Sequence, residues 1–259
     1  MAAKERIDDM GFGGLSLIQD EEGFRYGIDA VLLATFAARM VRAPKKICDL
    51  GAGNGAVTMI LLAKCAGAQV TGVEIQEQAA ALAQRSAACN GFADRCRILT
   101  GDVRDLPLSE DERESFDLVV TNPPYVRNGG PMISDNPGVA MARHEIAGGL
   151  TDFLDAAAWL LRDHGTLCMV HRPARLVDIL AEARARRLEP KEILPVAPRQ
   201  GTDPNLVLVR FHKNGGPEME LRAPLYVYDG DGYSREILAL YERLKMLACH
   251  HMHKKNIAK

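Results

Sequence analysis

An α/β fold built on one doubly wound, mostly parallel sheet is what this sequence predicts, on three observations. Short apolar, β-branched runs alternate with helical periodicity over residues 46–211, with no break in composition and no internal repeat. A glycine-rich turn, Gly51-Ala52-Gly53-Asn54-Gly55, joins the first of these strands to a helix. A later strand, residues 116–120, runs straight into Asn122-Pro123-Pro124-Tyr125. Seven strands are expected in all, the last antiparallel to its neighbours.

Each element has a local reason. Residues 1–26 alternate apolar and polar side chains between glycines, which suggests a small hairpin. Asp29 is placed to cap a helix over about 30–42, with Val31, Leu32, Ala34, Thr35 and Ala38 on its apolar side and Pro44 closing it. Lys46-Ile47-Cys48-Asp49-Leu50 reads as the first strand and residues 55–66 as the helix after the turn. A second strand (69–74) ends on the carboxylate of Glu74. A helix (77–90), a third strand (96–100) and Gly101-Asp102-Val103 follow. Past the charged loop at 110–114 and the strand at 116–120, residues 127–141 are rich in Gly, Asn and Pro and read as a lid beside the site. Thr151 is expected to cap a helix to residue 161 that carries Trp159, read as a core residue. Asp163-His164-Gly165 then turns into a strand at 166–170, and His171-Arg172-Pro173-Ala174-Arg175 opens a helix to residue 187. Residues 192–196 and 205–211 finish as an antiparallel pair. The expected organisation is a hairpin and helix (1–44) packed on one large domain (45–244), then a flexible basic, His-rich tail (245–259).

Composition narrows the class. With 47% hydrophobic and 25% charged residues, the chain is an ordinary globular one, and no window approaches a membrane span. The cytoplasm is the expected compartment and no membrane partner is expected. Cys48, Cys65, Cys89, Cys96, Cys168 and Cys249 form no C-x-x-C pair and mostly lie in apolar runs, so buried thiols are expected, with no disulfide and no metal. The net charge of −2 is not that of a strongly basic nucleic-acid binder. Its distribution is uneven: residues 1–129 hold 14 basic and 18 acidic side chains, residues 130–259 hold 18 and 16.

The chemistry is read from the strand ends. Each proline fixes its own backbone angle and lacks an N–H, and Asn122 is pushed to extended geometry by the proline after it. The corner so formed offers an amide, carbonyls without a strand partner and the ring of Tyr125, at the sheet end where open α/β folds keep their ligands. Asn122 Oδ1 and the Pro123 carbonyl suit the two hydrogens of a planar exocyclic amine, with Tyr125 stacked on its ring. Holding those hydrogens out of plane localises the nitrogen lone pair, which is catalysis by orientation. The competing reading is a turn whose prolines merely end a strand. Gly51-x-Gly53-x-x-Ala56 also satisfies a dinucleotide pattern, and Glu74 would serve NAD as a ribose partner equally well. Asp49, two residues before the first glycine, and Asp102, ending the third strand, favour a cation-bearing adenosine ligand over a pyrophosphate. S-adenosylmethionine is such a ligand.

With these motifs placed, the chain resembles class I S-adenosylmethionine-dependent methyltransferases acting on amino groups. More narrowly it is similar to the tRNA (adenine-N6)-methyltransferases that modify the anticodon loop of a valine tRNA. The stretches that carry the resemblance cover nearly the full length. They are residues 23–34, Asp49 to Gly55, Gly72-Val73-Glu74-Ile75-Gln76, Asn122 to Tyr125, Ala142-Arg143-His144-Glu145, residues 169–173 and Pro224-Leu225-Tyr226-Val227-Tyr228-Asp229. The resemblance implies a single Rossmann-like methyltransferase domain, S-adenosylmethionine as cofactor and a tRNA substrate. It implies that Asn122, Pro123, Pro124 and Tyr125 take the target amine. Cofactor residues would be Asp29, Asp49, Gly51, Ala52, Gly53, Asn54, Gly55, Glu74, Ile75, Asp102, Val103 and Asn122. Arg127, Arg143, His144, Arg172, Arg175 and Arg199 are the candidate RNA contacts, lying in loops or near strand ends. The oligomeric state is left open.

The same Asn-Pro-Pro-Tyr corner also serves guanine methylation in rRNA, glutamine methylation in proteins and adenine methylation in DNA. Only about 45 residues precede the glycine turn, short of a helical substrate domain, and no segment is long enough for a DNA-recognition insert. A non-catalytic RNA-binding protein on the same fold is the alternative of another class.

Overall fold

The structure is a computed structural model that describes residues 5–11, 14–21, 26–106, 108–124 and 148–241. Tyr125, Arg127, Arg143, His144, the expected lid at 127–141 and the tail at 245–259 lie outside the described residues.

The chain begins with a hairpin, β1 (Glu5–Asp9) and β2 (Ser16–Asp20), paired antiparallel. Helix α1 (Ile28–Met40) leads to β3 (Lys46–Leu50), then α2 (Ala56–Lys64), β4 (Gln69–Glu74), α3 (Glu77–Cys89), β5 (Cys96–Thr100) and β6 (Phe116–Thr121). After the undescribed segment come α4 (Leu150–Leu160), β7 (Leu161–His171), α5 (Leu176–Ala185), β8 (Leu188–Ala197) and β9 (Leu206–Lys213). The seven long strands lie in the order β8-β9-β7-β6-β3-β4-β5. All are parallel except β9, which runs antiparallel between β7 and β8. The expected fold class is therefore the one observed. Two short strands, β10 (Glu220–Leu221) and β11 (Leu225–Tyr226), add parallel pairing along β8.

Helices cover both faces, which is why the strands read as unbroken apolar runs. Alternate side chains of one strand feed two separate cores. Leu118, Val120, Cys168 and Val170 pack with α1 and α2 in one cluster. Val119, Leu167, Met169 and Phe211 pack with Phe153, Leu154 and Ile179 of α4 and α5 in the other. Trp159 lies partly buried against that second cluster, as expected of a core residue. Cys48, Cys65, Cys96 and Cys168 are buried free thiols, while Cys89 is exposed.

Three local expectations are corrected. Asp29 is no cap: α1 starts at Ile28 with Gly27 as N-cap, which places Asp29 in the first turn. Thr151 is no cap either, because α4 starts one residue earlier behind Gly149, whose N–H donates to Asp152 Oδ2 at 2.7 Å. Asp163-His164-Gly165 does not precede β7 but is absorbed into it. His164 takes a φ of +54° there, and the pairing of β6 with β7 slips between Phe116 and Leu118. Backbone crowding explains the glycine next to it: a Cβ at Gly165 would lie 2.9 Å from the Arg162 carbonyl oxygen.

Candidate active site at the strand ends

Strands β3, β4, β5 and β6 end side by side, and the residues that follow them converge. The turn after β3 approaches its neighbours so closely that side chains are excluded. Gly55 has a φ of +88°, and a Cβ there would lie 2.9 Å from Ala83 Cβ on α3. The turn's own N–H groups are committed to protein. Gly51 and Ala52 donate to the Val73 carbonyl at 2.9 and 3.0 Å, and Gly55 donates to Ala52 at 2.9 Å. Gly53 donates to Glu74 Oε2 at 2.8 Å. A dinucleotide turn needs such donors for its pyrophosphate; here four of them already have acceptors. Asn54 is tied away from the turn as well, donating through Nδ2 to Gln19 Oε1 at 3.0 Å on β2.

The three carboxylates occupy different depths. Asp49 is only 1% exposed and lies beneath the turn, where it accepts from Thr58 Oγ1 at 2.6 Å. Burial pushes its carboxyl up to about 7. The sequence placed Asp49 to reach a ligand amine; the structure buries it and bonds it to Thr58 on α2. Gly72, its register partner on β4, accommodates this packing, since a Cβ there would meet Ile98 Cδ1 at 2.8 Å and Ala52 Cβ at 3.0 Å. Glu74, buried at the end of β4, divides its carboxylate between the N–H of Gly53 and that of Gln76, the latter donating to Oε1 at 2.9 Å. Each oxygen keeps acceptor capacity for a hydroxyl. Ile75 beside it is half-buried.

Asp102, beyond β5, is half-buried and gripped by Arg104, whose Nε lies 2.9 and 3.0 Å from its two oxygens. That grip holds its carboxyl below the usual carboxylate range. Val103 turns inward and belongs to the core on the α4 face. Thr58, Gln19 and Arg104 were missed from the sequence. Thr58 reads as an ordinary helix residue and Gln19 as an ordinary strand residue, and only Arg104, two positions from an acidic strand end, carried a local signal.

At the end of β6, Thr121 Oγ1 donates to the Leu50 carbonyl at 3.0 Å, which ties the strand's exit to β3. Asn122 is half-buried, Pro123 buried and Pro124 half-buried. Asn122 Nδ2 donates to Asp29 Oδ2 at 2.9 Å, so Asp29 reaches this corner from the first turn of α1. The amide's nitrogen end therefore faces a carboxylate, and its oxygen end is the acceptor.

Arg172 and Arg199 follow the C-terminal ends of β7 and β8, on the same side of the sheet as Asn122. Arg172 is exposed. Arg175 pairs with Asp178 at 2.7 Å. Arg199 bonds the Gly230 carbonyl and lies 5.6 Å from the Tyr228 ring centroid. Three of the four basic residues at 184–191 bond within the protein: Arg184 pairs with Glu189, Arg186 with Asp155 and Glu182, and Lys191 donates to carbonyls at 216–218.

A mostly parallel sheet with one antiparallel strand set into it, and a glycine turn and an Asn-Pro-Pro corner at neighbouring strand ends, is the arrangement of a small-domain methyltransferase. The chain belongs to the methyltransferase small domain family, whose model matches residues 27–183. It is similar to the tRNA1(Val) (adenine(37)-N6)-methyltransferase of Porphyromonas gingivalis, 31% identical over 78% of this chain and 79% of that protein. The protein of that name from Tolumonas auensis is 28% identical over 86% of this chain and 90% of its own. Among solved structures, that of a predicted O-methyltransferase from Agrobacterium tumefaciens superposes with a TM-score of 0.66 at 28% identity, covering 83% of this chain and 95% of that one.

Proposed function

We propose that the protein transfers the methyl group of S-adenosylmethionine to the N6 amine of an adenine in tRNA, in the anticodon loop of a valine tRNA. The observation that carries this reading is the fixed amide of Asn122 at the end of β6, whose nitrogen donates to Asp29 Oδ2 and whose oxygen can only accept. Relatives named for that reaction over most of both chains support the substrate. In this reading residues 1–44 pack as hairpin and helix on a methyltransferase domain of residues 45–244.

The residues at the strand ends fit the cofactor. Glu74 keeps acceptor capacity on both oxygens for a ribose diol. Space is open above Gly53, where a Cβ would meet nothing within 4 Å. Asp49 lies beneath the same turn with a carboxyl that a nearby cation would ionise. When bound, S-adenosylmethionine supplies an electrophilic methyl group. Asp102 stands where an adenine amine would be met, held in place by Arg104.

The chain's own work is orientation. Asn122 Oδ1 and the Pro123 carbonyl accept the two hydrogens of the target amine and pull them from the ring plane, which turns the nitrogen lone pair outward. That grip tightens as the nitrogen becomes tetrahedral, so it acts on the transition state more than on the bound base. The product ammonium is acidic and gives its proton to a carbonyl or to water, so no strong base is required. Transfer to oxygen, the reaction for which the Agrobacterium protein is named, involves one hydrogen that must leave. An arrangement of two acceptors suits an amine better. A base inside a duplex has its amine paired, so a loop adenine, cheap to extrude, is the substrate.

Nucleoside analysis of tRNA from cells with and without the gene tests the proposal. Loss of N6-methyladenosine from a valine tRNA is the expected result. Unchanged tRNA, with a methyl group lost from rRNA guanine or a protein glutamine, would overturn it.

A further inference from the structure

We propose that Asp29 is a positioning residue for Asn122, setting the amide so that its oxygen, and not its NH2, meets the incoming amine. The inference rests on Asn122 being the amine acceptor of the proposed function.

The two ends of an asparagine amide have nearly the same shape and opposite roles. A half-turn about the terminal bond replaces an acceptor by two donors. At this corner the wrong orientation would set an NH2 against the NH2 of the substrate. Pro123 and the end of β6 fix the backbone of Asn122 but leave that half-turn undecided. Asp29 decides it, because a carboxylate only accepts. Its Oδ2 takes Asn122 Nδ2 at 2.9 Å, across 93 positions of sequence.

Asp29 is itself held. Its Oδ1 accepts from the Ala30 N–H at 2.9 Å, and its place in the first turn of α1 favours negative charge. Gly27 leaves room for this conformer: a Cβ there would lie 2.7 Å from Asp29 Oδ1. Helix α1 also touches β6 and β7, so the carboxylate is mounted on the same body as the corner it serves. The sequence suggested first capping and then cofactor binding for Asp29. The cap is not formed; the hydrogen bond adds a link between the first helix and the amide of Asn122.

Five variants, Asn122→Ala among them and each checked for melting temperature, test this by single-turnover methylation of tRNA at saturating S-adenosylmethionine, with cofactor affinity measured by calorimetry. In Asp29→Asn, the oxygen at position 29 is kept by the Ala30 N–H, so an NH2 faces Asn122 and inverts its amide. The expected result is a fall in transfer rate of about 10²-fold with cofactor affinity unchanged. Asp29→Ala lets the amide sample both orientations and should be less impaired than the closer mimic, an order opposite to that of a merely structural contact. Asn122→Asp sets two carboxylates against each other and should also be slow. The double variant Asp29→Asn/Asn122→Asp restores a donor–acceptor pair with an oxygen outward. It should recover to well above either single variant, a coupling that independent sites do not show. The inference is overturned if Asp29→Asn transfers at the wild-type rate, if its loss lies in cofactor affinity alone, or if the double variant is no faster than the slower single one. A slow Asn122→Ala with a fast Asp29→Asn sinks only this inference. An Asn122→Ala that transfers normally once saturated sinks the proposed function and this inference with it.

Discussion

Replacing Glu74 by glutamine keeps the shape of the side chain and removes one acceptor oxygen. In the native structure both oxygens accept from backbone, Oε2 from Gly53 and Oε1 from Gln76, at 2.8 and 2.9 Å. An amide cannot serve both, so one N–H would face an NH2. At 6% exposure, water does little to relieve the conflict. The cost is that of a buried donor left unsatisfied, about 1–3 kcal/mol. For a protein of this size a loss of about 2 kcal/mol lowers the melting temperature by roughly 4–8 °C. The glycine turn loses its tether at the same time, and on the proposed cofactor site one ribose hydroxyl would lose a charged acceptor, about 1.5–3 kcal/mol, or roughly tenfold to a hundredfold in affinity. Differential scanning fluorimetry without ligand and calorimetric titration with S-adenosylhomocysteine measure the two effects separately. A variant that melts as the wild type and binds S-adenosylhomocysteine equally well would refute both the tether and the ribose assignment.

Further outcomes follow from other residues. Asn122→Ala should lower the single-turnover rate at saturation by about 2–4 kcal/mol, the cost of one preorganised polar group; a variant that binds poorly but transfers normally would make the corner a binding element. Asp49, held protonated up to about pH 7 by burial, should ionise when a cationic ligand binds above it. Affinity for S-adenosylmethionine should then rise with pH up to about 7, by at most tenfold per unit, and level off above it. Asp49→Asn should abolish that part of the dependence, and an identical profile in the two proteins would separate Asp49 from the ligand's charge. Replacing Arg172 and Arg175 by alanine should reduce the log–log salt slope of tRNA binding by about one unit for each phosphate no longer neutralised; filter binding across a salt series checks it, and an unaltered slope removes them from the footprint.

The sheet was legible because period and punctuation agree. Apolar runs, the glycine turn and the proline pair each mark a strand end without help from distant residues, and strand β5 was placed to the residue. Helix starts failed where a polar side chain near the terminus, Asp29 or Thr151, looked like a cap while a neighbouring glycine took that place. Depth was illegible. Nothing local tells that Asp49 lies under the turn while Asp102 stands half open, since that depends on α2 and Thr58 on one side and Arg104 on the other. The bond between Asp29 and Asn122 was equally hidden, because each residue has an ordinary local explanation and only the packing of α1 on β6 brings them together. Glu192 is a similar case: a strand residue with two arginine partners, Arg210 and Arg222, that only the folded sheet supplies.

The placement of β9 has a consequence for how the chain is made. Among the described residues it is the last long strand in sequence, yet it lies inside the sheet, hydrogen-bonded to β7 on one side and β8 on the other. During synthesis β7 and β8 leave the ribosome first, and each must wait with an open apolar edge until residues 206–213 emerge and insert between them. Everything from β3 to β7, which carries the glycine turn and the Asn-Pro-Pro corner, can pair beforehand. The nascent chain can therefore hold the glycine turn and the Asn-Pro-Pro corner on paired strands while β7 still has an unpaired edge, the kind of edge that recruits foreign strands. Insertion of this one strand, late and between two waiting partners, closes the β7 edge and the inner edge of β8; the outer edge of β8 is paired later still, by β10 and β11.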